Sequence, residues 1–170
     1  MEPLSVGVHS VYRLGCLRAC ESVLVFGCGP VGLLCMAVAK ALGASRIIAA
    51  DIVDSRLKFA KEYVATDVFM PPKREEGENS LIYSRRSGDE LKRRLNLSDR
   101  GKHGIDLVID ASGAEVSIQT AFYAVKVGGR IVQVSTFFHL SPPMLRCVGR
   151  NGKTRCNDRP RDVDDKGGYL

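Results

Sequence analysis

The stretch Val23–Ala44, VLVFGCGPVGLLCMAVAKALGA, carries a single charge, on Lys40. Its length suits a bilayer span, which takes about 20 apolar residues as a helix. Its glycines and proline argue otherwise. Gly27, Gly29, Pro30 and Gly32 fall within six positions, and clustered glycine with proline breaks a helix. Val23–Phe26 ahead of them is β-prone, and Leu33–Leu42 after them is a good helix former. The break therefore reads as a strand, a turn and a helix. A secretory signal fits poorly, because the apolar run begins after residue 20 behind two arginines and a glutamate. The expectation is a chain without a membrane role, working in the cytoplasm.

Outward from this stretch, strand-like and helix-like runs alternate, as in a parallel sheet with helices on its faces. The expected strands are Ser22–Phe26, Arg46–Ala50, Asp67–Met70, Ile105–Ile109 and Arg130–Val134. Helices are expected from Pro30 to Leu42 and from an Asp54 N-cap to Tyr63. Two capping-box spacings, at Ser87–Glu90 and Ser112–Glu115, predict two more helix starts. Ser87 would carry Leu91 and Leu95 inward after a polar loop over Lys73–Ser87, and the helix from Ser112 would run to about Lys126. Gly128–Gly129 would turn the chain into the fifth strand.

The sequence has 170 residues, 45% hydrophobic and 26% charged, which suits one folded domain with or without a tail. The fold class expected is α/β, a doubly wound parallel sheet of Rossmann type. Residues 21–134 would form this domain, residues 1–20 an entry segment, and residues 135–170 a poorly ordered tail weakly tethered at Phe137–Phe138. The formal net charge of +6 raises a nucleic-acid reading. Its clusters at Lys73–Arg74, Arg85–Arg86 and Lys92–Arg94 lack interleaved aromatics for stacking on bases, so they read as solvated faces. With six cysteines and no secretory signal, reduced thiols are expected. The Cys16/Cys20 and Cys147/Cys156 spacings do not match a structural zinc site, so no metal ligands are assigned in this chain.

Gly27-Cys28-Gly29-Pro30-Val31-Gly32 is G-x-G-x-x-G between a strand and a helix, the context of a pyrophosphate-binding turn. Its amides and the helix dipole would face the anion. Asp51 lies 19 residues beyond Gly32, at the end of the second strand, where a carboxylate can accept from ribose hydroxyls. A 2′-phosphate beside it would meet a repulsion of roughly 4 kcal/mol at about 4 Å and an effective dielectric near 20. That corresponds to about a thousandfold in affinity, so the expected cofactor is NAD rather than NADP. Ile52 and Arg56 would flank the adenosine, although the spacing of Arg56 suits a surface arginine in the first turn of the helix equally well. The crevice where strand order reverses adds Ala111, Ser112 and Gly113 after the fourth strand, and Val134 and Ser135 after the fifth, beside the nicotinamide half. Ser112 has a second reading, as an N-cap.

Glu2–His9, Gly27–Gly32, Asp51–Arg56 and Ser112–Glu115 with Ser117-Ile118-Gln119 together resemble zinc-dependent polyol dehydrogenases, such as sorbitol and xylitol dehydrogenases, of the medium-chain alcohol dehydrogenase superfamily. The resemblance covers Met1 to Val134. It implies oxidation of a secondary alcohol of a small-molecule polyol to a ketose, with hydride passing to NAD and zinc polarising the alcohol oxygen. It places Gly27, Gly29, Gly32, Asp51 and Arg56 in the cofactor site and maps Glu2 near the catalytic zinc. The family's zinc ligands come from a domain ahead of the equivalent of Met1, and the tail departs from the family's continuation. The implied reading is a cofactor domain that ends after its fifth strand, binds NAD and is inactive alone.

Two further readings stand beside this one. A non-catalytic NAD-binding or interaction module would expose the fifth strand as an edge open to pairing in an oligomer. An adenosylmethionine-dependent methyltransferase shares a glycine turn and an acid after the second strand, but Pro30-Val31-Gly32 and Glu2–His9 favour the dehydrogenase.

Overall fold

A computed structural model describes residues 2–134 and, as backbone, 146–149. The chain enters through helix α1 (Glu2–Val8), which runs on into π-helical turns over His9–Leu14. Alternation then sets in: β1 (Ser22–Phe26), α2 (Pro30–Ala41), β2 (Arg46–Ala50), α3 (Asp54–Tyr63), β3 (Asp67–Phe69), α4 (Ser80–Leu95), β4 (Ile105–Asp110), α5 (Glu115–Ala124), β5 (Val125–Gln133) and β6 (Arg146–Gly149).

The strands line up in the order β3-β2-β1-β4-β5-β6. The first five are parallel, and the order reverses between β1 and β4, the doubly wound arrangement read from the sequence. Every residue of β1 is buried, as are Leu107–Asp110 of β4, because helices cover both faces. Alternate side chains divide into two cores. Val23, Val25, Ile47, Leu107 and Ile109 pack with Val11, Cys35, Met36, Leu57 and Ala60 on the face of α2 and α3. Leu24, Phe26, Ile48, Val108 and Ile131 pack with Leu91, Ala121 and Ala124 on the face of α4 and α5.

Several boundaries differ from the sequence reading. Helix α4 begins seven residues before Ser87, behind Asn79, whose side chain accepts from the Leu81 N–H at 3.1 Å. Ser87 is buried in mid-helix with Tyr83, Ser84 and Gly88. Packing against α5 thus prolongs the helix through a segment too polar to predict it, while Leu91 and Leu95 do turn inward. Asp54 sits inside the first turn of α3, with Val53 as N-cap; its carboxylate instead meets Lys58 at 2.7 Å. Ala114, not Ser112, caps α5, and that helix stops at Ala124. Its neighbour Val125 already pairs with Ile105; the register resumes only at Arg130 opposite Leu107, so Lys126–Gly129 loop out between the two pairings. Beyond the five parallel strands, β6 pairs antiparallel with β5, so β5 is not the open edge expected for oligomer pairing. Apart from β6, the tail and its tether at Phe137–Phe138 lie outside the described residues, as does Ser135.

Asp106 closes the end of the sheet opposite the glycine turn. Its carboxylate accepts from the Ser22 N–H and hydroxyl, both at 2.9 Å, and pairs with Lys126. Burial alone would push its pKa up, but the Lys126 and Ser22 bonds outweigh burial and hold it below the ordinary 3.8. A depressed folded pKa adds stability above the unfolded value and loses it as pH falls through the folded one. Asp106→Asn is expected to cost about 2 kcal/mol at pH 7 and to flatten the decline in stability below about pH 4, measured by urea titration across pH.

Candidate functional site: the β1–α2 turn

Leaving β1, the chain turns at Gly27 with φ of +90°, a conformation that favours glycine. A Cβ there would lie 2.9 Å from the Ser112 amide nitrogen and 3.0 Å from the Ala111 carbonyl oxygen. The turn is therefore pressed against the loop after β4. At Gly32 the packing is tighter still, since a Cβ would fall 1.8 Å from the Gly27 carbonyl oxygen. Gly29 differs from both: nothing lies within 4 Å of its missing side chain. It is the N-cap of α2 with extended backbone, and Pro30 opens the helix, where its missing N–H costs nothing. Leu33 closes the first turn onto the Gly29 carbonyl at 2.9 Å. Val31 and Gly32 precede it and have no i−4 carbonyl within the helix. Their amides and the positive helix end face the space in front of Gly29.

Asp51 belongs to the same turn. It is 8% exposed, and its Oδ2 accepts from the Cys28 N–H at 2.7 Å while Oδ1 accepts from the Val53 N–H at 2.9 Å. One carboxylate thus ties the glycine turn to the end of β2. Arg56 Nη1 stands 4.0 Å from Oδ2 on an exposed side chain, and Ile52 is 79% exposed beside it. Cys28 is buried, and its amide is a partner of Asp51 that the sequence reasoning did not single out. Burial, reinforced by Asp51 and partly offset by Arg56, pushes its thiol pKa up to about 12.

Across the crevice, the Ala111 N–H donates to the Phe26 carbonyl and the Val134 N–H to the Asp110 carbonyl, both at 2.8 Å. These bonds bring Ala111, Ser112 and Gly113 beside the glycine turn, with Val134 buried next to them. Ser112 does not cap α5; its hydroxyl donates to Asp110 Oδ1 at 2.6 Å and accepts from the Ala114 N–H at 3.2 Å. Glu2 is exposed in the first turn of α1, and His9, the first residue of the π-helical turns that follow it, is exposed too.

A cradle of backbone donors, two glycines, Gly27 and Gly32, that leave no room for a side chain, and an acid locked to the turn describe a dinucleotide site, and the sequence matches point the same way. The sequence profile described as "Zinc-binding dehydrogenase" matches residues 30–153. The chain belongs to this family. It is 49% identical over 133 residues to D-xylulose reductase A of Aspergillus niger, covering 78% of this chain and 34% of that protein. Against the probable D-xylulose reductase A of Aspergillus clavatus the identity is 47% with the same coverage. The chain thus spans about a third of the length of the curated relatives it matches. Among solved structures, 2R,3R-butanediol dehydrogenase from Bacillus subtilis superposes with a TM-score of 0.62 at 27% identity, covering 84% of this chain and 36% of that one. Alcohol dehydrogenase TADH from Thermus sp. ATN1 does so with 0.56 at 31% identity, covering 83% and 37%.

Among the described residues, no three of His, Cys, Asp and Glu come together in a group able to hold a metal ion. Also among the described residues, no helix is long and apolar enough to cross a membrane.

Proposed function

We propose that this chain is the NAD-binding part of a dehydrogenase that oxidises a secondary alcohol of a polyol, of the xylitol or sorbitol class, to a ketose. The observation that carries the reading is the 2.7 Å bond from the Cys28 N–H to Asp51, which fixes a sugar-binding acid to an anion-binding turn. Gly27, Gly29, Pro30, Val31 and Gly32 would cradle the pyrophosphate. Asp51 would accept from the adenosine ribose, with Ile52 and Arg56 over the adenine side. Ala111, Ser112, Gly113 and Val134 would border the nicotinamide.

Bound there, NAD supplies a hydride acceptor, and the protein's part is to hold and orient it. The polyol class rests on the likeness to D-xylulose reductases. Zinc chemistry, and any role of Glu2 near it, is left to donors outside the described set. Residues 1–20 then connect this domain to the one that holds the metal. A cytoplasmic location fits the thiols of Cys16, Cys20, Cys28 and Cys35, which are free.

Titrating NADH with the purified chain, following nicotinamide emission because the sequence has no tryptophan, tests the reading. Emission that rises and saturates, with NAD competing better than NADP, is the expected result. Flat emission, or displacement of NADH by adenosylmethionine, would overturn it. Zinc, xylitol and an excess of NAD added to the same chain should give no new NADH; turnover would move the whole reaction into this chain.

A further inference from the structure

Asp110, the last residue of β4, is fully buried. Its Oδ1 accepts both the amide of Ser112, at 3.1 Å, and its hydroxyl, at 2.6 Å. Its Oδ2 is buried with no partner among the described residues. On this face of the sheet its neighbours in register are Phe26 and Gln133. Burial pushes its pKa up, and the two bonds from Ser112 offset this only in part. A half-satisfied carboxyl in a core is destabilising, and its geometry indicates what that cost maintains. The bonds to Ser112 close a tight turn over two residues, which redirects the chain as it leaves the strand. The redirected segment is the one that Gly27 touches, with Ser112 and Ala111 at 2.9 and 3.0 Å from its Cβ position.

We infer that Asp110 is a positioning residue of the cofactor site: through Ser112 it holds the loop from Ala111 to Ala114 against the glycine turn, so that the walls of the adenosine and nicotinamide halves keep one spacing. The inference rests on the NAD reading for its consequence and on the geometry of the turn after β4 for its cause. Asp110→Asn keeps an oxygen for the Ser112 donors, whereas Asp110→Ala removes it and Ser112→Ala removes one of the two bonds. Asp110→Ala is expected to raise the NADH dissociation constant about tenfold, while Asp110→Asn stays within about threefold of the parent.

Hydrogen exchange at the Ser112 and Ala114 amides, with ligand absent, reads the loop directly. It should quicken in Asp110→Ala and Ser112→Ala and hardly change in Asp110→Asn. A residue needed only for folding would lower the melting temperature while leaving NADH affinity of the folded protein unchanged, and that result overturns the inference. If the parent chain binds no NADH, the cofactor reading fails on its own, and the exchange rates still decide: equal exchange in all four chains sinks the positioning role. Should Asp110→Ala fail to fold, Ser112→Ala against Asp110→Asn carries the same comparison.

Discussion

Gly32→Ala is expected to lose about 3 kcal/mol of stability or more, lowering the melting temperature by roughly 10 °C and abolishing NADH binding. The new methyl would sit 1.8 Å from the Gly27 carbonyl oxygen, which is backbone and has no rotamer to yield. Either the first turn of α2 moves away from β1 or the Gly27 turn opens. Both outcomes disperse the amides that face the anion. Gly29→Ala is the informative partner. Its backbone φ of −75° suits alanine, and nothing lies within 4 Å of the added methyl. Stability should change by no more than about 0.5 kcal/mol, yet the methyl would enter the space where a pyrophosphate must touch backbone. NADH affinity should then fall by at least about tenfold. Thermal melts by circular dichroism, read with nicotinamide emission on the same samples, separate the two glycines. A folded Gly29→Ala chain with undiminished affinity would mean that the ligand does not approach there.

The contrast between those glycines shows what is legible in a sequence and what is not. The G-x-G-x-x-G spacing with Asp51 can be read because turn, helix dipole and acid are close in the chain or separated by one strand and one helix. Sheet order and the reversal between β1 and β4 follow from the same alternation. Capping boxes mislead here because they are local. Ser87 and Ser112 have acceptable partners three residues on, but α4 gains more by burying Tyr83, Ser84, Ser87 and Gly88 against α5. Ser112 is claimed by Asp110 before it can cap anything. The looped segment in β5 and the antiparallel partner β6 were hidden for another reason: they depend on pairings with Ile105 and with a tail that carries little periodicity. An Asp-x-Ser spacing at a strand end, as in Asp110-Ala111-Ser112, was the available signal for the buried carboxyl.

Asp51→Ser should convert a preference of about a thousandfold for NADH over NADPH into one of no more than about tenfold. Two effects combine. The serine hydroxyl keeps an acceptor for a ribose oxygen but removes the charge that repels a 2′-phosphate, so NADPH gains. Arg56, whose guanidinium stands 4.0 Å from the carboxylate on an exposed side chain, is then free to pair with that phosphate, the stronger kind of hydrogen bond. NADH loses for a structural reason: the Cys28 and Val53 amides that now meet the two carboxylate oxygens at 2.7 and 2.9 Å cannot both be served by one hydroxyl. That deficit should also cost about 1–3 kcal/mol of stability. Dissociation constants for both nucleotides, measured in the parent and in Asp51→Ser at low and high salt, distinguish the contributions. Salt should weaken NADPH binding to the variant, because the Arg56 pairing is exposed and screened, and should move the NADH values much less. An unchanged NADH-to-NADPH ratio would mean that Asp51 serves only to brace the turn, and selectivity would then have to come from elsewhere in the crevice.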